Sequence, residues 1–409
     1  MATKPSAHSA PDTSTRCRPS DGFSTRAIRA GQDPCTSTGS TVVPIYQTAT
    51  FTQAAVGVDK GFDYSRTGNP TRLALERQLA ELEGGAFGAA FGSGMAAIFG
   101  ACSLLRAGDH LVATSDCYGG TYRLFVDELS RYGIETTFAD TTDLDAVRAA
   151  LRPNTKLLWI ETPTNPLLRV ADLRALASLK GPDRILAVDN TFLSPYFQRP
   201  LELGADVVVH STTKYINGHS DVVGGIVICN DPALFERIAY HQNAVGTIPG
   251  PQDAYLTLRG AKTLALRMKQ HEESAFAVAR WLETRDDVAA VFFPGLESHP
   301  DHELAQRQQR GFGGIVSFRV RGGGTRALEL LRSTRLFNLA VSLGGPESLI
   351  CSPAEMTHKT VPAEMKAELG ITPDLLRLSI GLEDAEDLIA DLAAALDATA
   401  EVGLEEAAA

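Results

Sequence analysis

From Asn69 to about residue 230 the chain alternates short runs rich in Leu, Ile and Val with stretches whose apolar residues recur at helical spacing. The runs Ala89–Gly92, His110–Thr114, Lys156–Glu161, Ile185–Asp189 and Asp206–His210 read as strands. None alternates cleanly between apolar and polar residues, so both faces must be buried, and the intervening helices supply the cover. This pattern predicts an α/β domain built on a mostly parallel sheet. Ligands of such sheets gather at the carboxyl ends of the strands, so the residues that follow each run are the candidates for chemistry.

A chain of 409 residues exceeds what one hydrophobic core usually serves. Residues 1–22, rich in Ser, Thr and Pro, read as a disordered tail without the apolar run of a signal peptide. Residues 23–68 show little helical periodicity and several turn residues, which suits an extended arm of the kind that serves oligomers. Residues 69–254 form the large α/β domain, opened by a helix start at Asn69-Pro70-Thr71 and stopped by Gly84-Gly85. Residues 255–409 form a smaller α+β domain, with a long helical stretch Tyr255–Arg285, strands Gly313–Arg321 and Arg377–Ile380, and a closing helix Asp384–Ala398.

The charge balance, 49 acids against 38 bases, includes no long basic run and argues against a nucleic-acid partner. No stretch stays apolar for the roughly 20 residues that span a bilayer, so no membrane association is expected. The six cysteines lie far apart, without a C-x-x-C pair or a Cys-His cluster at metal-ligand spacing. A reducing cytoplasm and no metal are the expectations.

Lys214 follows the apolar run Ala205–Val209 in a turn with Ser211 and Thr213. A lysine amine in such a place can condense with an aldehyde, and the hydroxyls and backbone N–H groups beside it can hold a phosphate. Asp189 ends a strand, where a buried carboxylate would favour a protonated heteroaromatic nitrogen; it would equally serve as a cap or turn residue. Phe91-Gly92-Ser93-Gly94-Met95 runs from strand through glycine turn to helix, an anion site for a phosphate. Tyr118 stands at another strand-to-helix junction, available to stack on a ring or to pack as an ordinary core tyrosine.

Taken together, Tyr64–Thr71, Ser93-Gly94-Met95, Asp116–Thr121, Glu161–Pro166, Val188–Thr191, the lysine run ending Gly218–Asp221, and Ser342–Gly345 resemble the Cys/Met-metabolism family of pyridoxal-phosphate enzymes. That family includes cystathionine γ-lyase, cystathionine γ-synthase and methionine γ-lyase. The resemblance runs from Phe23 to about Leu396. It implies the fold type I transferase architecture with a seven-stranded sheet, pyridoxal 5'-phosphate as cofactor and a small sulfur amino acid as substrate. It further implies Lys214 as the Schiff-base lysine, Asp189 as partner of the pyridine nitrogen, Tyr118 as the stacked ring and acid or base, and Gly94, Met95, Ser211 and Thr213 as phosphate contacts. Tyr64 and Arg66 would reach the phosphate of a neighbouring subunit, which implies a homo-oligomer: at least a dimer, with a tetramer expected. Asn165, Ser342 and Arg377 would bind the substrate carboxylate, an arginine fork being suited to a planar anion.

Relatives that handle cystathionine carry an acid before Tyr-Ser-Arg and another before Ser-Leu-Gly-Gly; here these positions are Asp63 and Val341. The valine leans toward a less polar substrate. Methionine γ-lyases place cysteine two residues after the stacked tyrosine, where this chain has Gly120. The expected activity is therefore γ-elimination of cystathionine, with γ-replacement on O-acylhomoserine, a methionine or homocysteine lyase, and a non-catalytic cofactor-binding protein as alternatives.

Overall fold

Asn69 opens the first long helix, Pro70–Glu83, because its side-chain oxygen accepts from the Thr71 and Arg72 N–H groups, which the helix leaves unpaired. Gly84 closes that helix in the left-handed region, at φ 78°. The computed structural model describes residues 17–18 and 20–402. Most of the expected tail therefore lies outside the described residues.

The large sheet has seven strands: β1 (Phe87–Phe91), β2 (His110–Thr114), β3 (Glu135–Ala139), β4 (Thr155–Glu161), β5 (Ile185–Asp189), β6 (Val207–His210) and β7 (Gly225–Cys229). Their order is β1-β7-β6-β5-β4-β2-β3. The pairs β3/β2, β2/β4, β4/β5 and β5/β6 are parallel, and β7 runs antiparallel to both of its neighbours. The sheet is thus mostly parallel, and Leu158, Val188 and Val208 on one face and Trp159, Ala187 and Val207 on the other are fully buried. Strand β3 escaped the apolar pattern because it is an edge strand, Glu-Thr-Thr-Phe-Ala, buried only in part.

The second sheet contains β8 (Val288–Phe292), β9 (Ile315–Val320), β10 (Asn338–Leu339), β11 (Leu349–Cys351) and β12 (Leu375–Ser379), ordered β10-β11-β12-β9-β8. Helices Leu264–Glu283, Gly323–Ser333 and Ala385–Ala398 cover it through Val278, Leu330 and Leu392.

Two expectations shift. The helical stretch from Tyr255 is two helices, Pro251–Ala261 and Leu264–Glu283, so a boundary at 254/255 would cut the first of them. Ala254, Leu258 and Met268 pack in the core of the large domain, whereas Ala275 and Leu282 pack in that of the small one. The change of partner occurs within a continuous helix, where no Gly or Pro marks it. The arm, expected to be extended throughout, begins with a helix, Phe23–Arg29. Seven residues cannot sustain a helix alone; docking does so, with Gln78 Nε2 donating to Ala27 O at 2.6 Å and Arg26 Nη1 donating to Glu81 O at 3.1 Å.

Candidate active site

At the carboxyl ends of β4, β5 and β6 lies a cavity of about 480 Å³. Its floor is the start of helix Gly94–Cys102, where Ser93 Oγ accepts from Ala96 N–H at 3.0 Å. Gly94 must be glycine for reasons of space: a Cβ there would stand 2.7 Å from Ser211 Cβ and 2.8 Å from Ser211 Oγ. The loop after β6 is held in turn. Ser211 N–H donates to Thr191 Oγ1 at 2.9 Å, and Gly224 N–H donates to Thr213 Oγ1 at 2.9 Å.

Thr191 ties this loop to the acid at the end of β5. Its hydroxyl and backbone N–H donate to Asp189 Oδ1 at 2.6 and 3.0 Å. Burial pushes the Asp189 carboxyl upward, against these hydrogen bonds. Lys214 Nζ donates to Ser342 Oγ at 2.6 Å. Burial, followed by the Arg377 charge, lowers that amine from its ordinary 10.5 to about 8. Arg377, in β12, donates from Nη1 to Asn165 Oδ1 at 2.8 Å and from Nη2 to the Ser342 carbonyl at 2.9 Å. Ser342 sits at φ 89°, a strained position for a residue with a side chain, and there it touches both the amine and the guanidinium. Tyr118 presents its ring at the opening, and its N–H donates to Glu161 Oε2 at 2.9 Å.

The fold thus brings Gly94, Met95, Tyr118, Asn165, Asp189, Ser211, Thr213, Lys214, Val341, Ser342 and Arg377 to one cavity. It does not bring Asp63, Tyr64 or Arg66 there within the same chain. Arg66 Nη1 donates instead to the Asn243 carbonyl and Oδ1 at 2.6 and 2.9 Å, with its guanidinium 5.7 Å from the Tyr64 ring centroid. Asp63 Oδ1 accepts from Tyr64 N–H at 2.7 Å.

Among the lining residues given no role by the sequence are Glu161, Thr191, Arg123 and Lys359. Thr191 had a signal, since a Thr two residues after an Asp commonly closes a turn onto it. Lys359 had none, because only tertiary packing carries its segment over the cavity.

The donor set suits a phosphorylated pyridine aldehyde. A half-buried acid faces the cavity where a ring nitrogen would lie, a readily deprotonated amine is available to an aldehyde, and a helix start with two hydroxyl residues beside it could accept a phosphate.

The sequence profile of the Cys/Met metabolism PLP-dependent enzymes matches residues 24–397. A cystathionine gamma-synthase of Mycobacterium bovis is 55% identical over 379 residues, which cover 92% of this chain and 97% of that protein. A cystathionine gamma-lyase of Bacillus subtilis is 50% identical over 374 residues, which cover 91% and 98%. Among solved structures, cystathionine gamma-lyase from Lactobacillus plantarum complexed with L-serine matches with a TM-score of 0.91 at 45% identity, over 93% of this chain and 100% of that one.

Proposed function

The chain belongs to the Cys/Met-metabolism family of PLP-dependent enzymes, and from that premise we propose that it breaks the Cγ–S bond of L-cystathionine, yielding cysteine, 2-oxobutanoate and ammonia. The observation that carries this reading is a cavity lined both by a buried cation, Arg377, and by exposed ones. Arg377 and Asn165 stand inside, while Arg123 and Lys359 line its exposed side. Cystathionine has a carboxylate at each end, and each would meet a cation.

Lys214 is the residue that would hold pyridoxal 5'-phosphate covalently, Asp189 would keep its ring nitrogen protonated, and the Gly94 helix start with Ser211 and Thr213 would take the phosphate. The bound cofactor supplies a sink for the electrons left when the α-proton departs. Lys214, once free, accepts that proton and moves protons between Cα and Cβ, a task suited to an amine that is partly neutral near pH 8. Arg377 and Asn165 orient the α-carboxylate. The Tyr118 hydroxyl gives a proton to the departing sulfur.

Asp63, Tyr64 and Arg66 would complete the site from a second copy of the chain. Supporting this assembly, the arm and its surroundings expose Val42, Ile45, Val56, Val58 and Tyr64. Among the described residues no helix is long and apolar enough to cross a membrane, and a cytoplasmic location belongs to the same reading.

Two observations favour other substrates. The 55% relative is named a synthase, which supports γ-replacement on an O-acylhomoserine. Val341, 56% exposed, lines the cavity with an apolar surface and supports methionine. Against methionine, position 120 is glycine and lacks the cysteine of methionine lyases, and a side chain there would require the Tyr118 ring to shift. Incubating the enzyme with cystathionine, methionine, homocysteine, or O-acylhomoserine plus cysteine decides the matter by kcat/KM. Cysteine and 2-oxobutanoate should form fastest, from cystathionine. Preferential formation of cystathionine, or of methanethiol from methionine, would replace this assignment.

A further inference from the structure

At the ends of β4 and β5 two carboxylates stand side by side. Glu161 and Asp189 are register partners across this parallel pair, so their side chains leave the same face of the sheet. Both line the cavity, and Glu161 is only 5% exposed. Glu161 Oε2 accepts from the Tyr118 N–H, and the Asn165 backbone also favours its charged form.

Arg123 and Lys359 line the same cavity from its exposed side, and the other charged groups around the pair are engaged elsewhere. Lys214, beyond β6, bonds to Ser342; Arg377, in β12, bonds to Asn165 and the Ser342 carbonyl. His210, at the end of β6, pairs with Glu83 at 2.7 Å, and Arg169 pairs with Asp140 at 2.9 Å. His358, on the segment before Lys359, is held neutral by burial, at about 4. A third acid, Asp116, accepts from the Thr164 hydroxyl at 2.5 Å and adds to the negative surroundings, with the Cys117 thiol pushed upward by burial beside it.

A protonated pyridine nitrogen brings one positive charge to this corner. Two ionised carboxylates would oppose it with two negative charges, and the second, Glu161, would have backbone N–H partners but no counter-charge in its buried position. We propose that Glu161 is a positioning residue that stays protonated in the working enzyme, its Oε2 anchoring the Tyr118 backbone and ring, while Asp189 alone carries the negative charge. Burial, followed by the Asp189 charge, pushes the Glu161 carboxyl well above the usual carboxylate range, in the same direction as the geometry. The inference rests on Asp189 facing the pyridine nitrogen.

Infrared difference spectra of the holoenzyme test it. Wild type minus Glu161→Gln should show the carbonyl stretch of a protonated carboxylic acid, displaced in deuterated water; a carboxylate band in its place would overturn the proposal. Titration of the visible absorbance gives a second readout. Replacing a neutral acid with Gln should leave the midpoint within a few tenths of a unit, whereas removing an adjacent negative charge would lower it by about a unit or more. Such a drop would also overturn the proposal. Anchoring is read from the circular dichroism of the bound cofactor, which Glu161→Gln should retain and the similarly sized Glu161→Leu should lose. If the leucine variant keeps the wild-type signal, the anchoring role is wrong. Asp189→Asn separates the two ideas: unchanged cofactor affinity in that variant would remove the Asp189 assignment, while the infrared band would still report on Glu161.

Discussion

On the proposed reading, turnover depends on the Lys214 amine. Its replacement in Lys214→Ala should lower kcat/KM for cystathionine at least about a thousand-fold, because the one other amine lining the cavity among the described residues, Lys359, stands on its exposed side. Product formation from cystathionine measures this directly. Its lowered proton affinity has a consequence of definite sign. An amine attacks an aldehyde only when neutral, and burial moves the half-neutral point from 10.5 to about 8. Capture of pyridoxal phosphate by the apoprotein should therefore speed up as pH rises toward 8 and level off above it. A stopped-flow series in which the rate keeps climbing to pH 10 would show that the amine is not desolvated as described.

At the scale of elements, caps and close approaches hold the site in place. The Asn69 side chain accepts from two helix N–H groups and donates from Nδ2 to Tyr46 O at 2.9 Å and Ser65 Oγ at 3.1 Å, so one residue pins both the helix and the arm. Asn69→Ala should cost about 1 kcal/mol or somewhat more in urea-unfolding free energy. The start of helix Gly94–Cys102 depends on close contact as well as on the Ser93 cap. Gly94→Ala would drive the helix start off Ser211 and spread the phosphate cradle. The dissociation constant for pyridoxal phosphate should rise at least about tenfold, equivalent to about 1.4 kcal/mol, as read by equilibrium dialysis.

At the scale of the whole molecule, one chain supplies a cavity but leaves Tyr64 and Arg66 outside it. If a second copy contributes them, two defective variants should complement each other. Arg66→Ala and Lys214→Ala subunits, each inactive alone, would on mixing form hybrid dimers with one intact site, restoring activity to roughly a quarter of wild type in a two-fold assembly. Mixtures no more active than their components would place Arg66 outside any shared site.

Much was legible in the residues themselves. The limits of β2 and β5 follow from buried apolar runs that end at sharp polar boundaries, and the helix after Asn69 follows from its cap, since burial and capping are local consequences of side-chain chemistry. Most of the motif residues likewise converge on one cavity. What tertiary structure alone decided are relations between distant segments. Helix Phe23–Arg29 exists because it docks, the change of domain occurs inside Leu264–Glu283 because its two halves meet different cores, and Glu161 neighbours Asp189 because β4 pairs with β5. No local pattern records which strand lies beside which. The charge of a buried acid is set by the neighbours that this pairing provides.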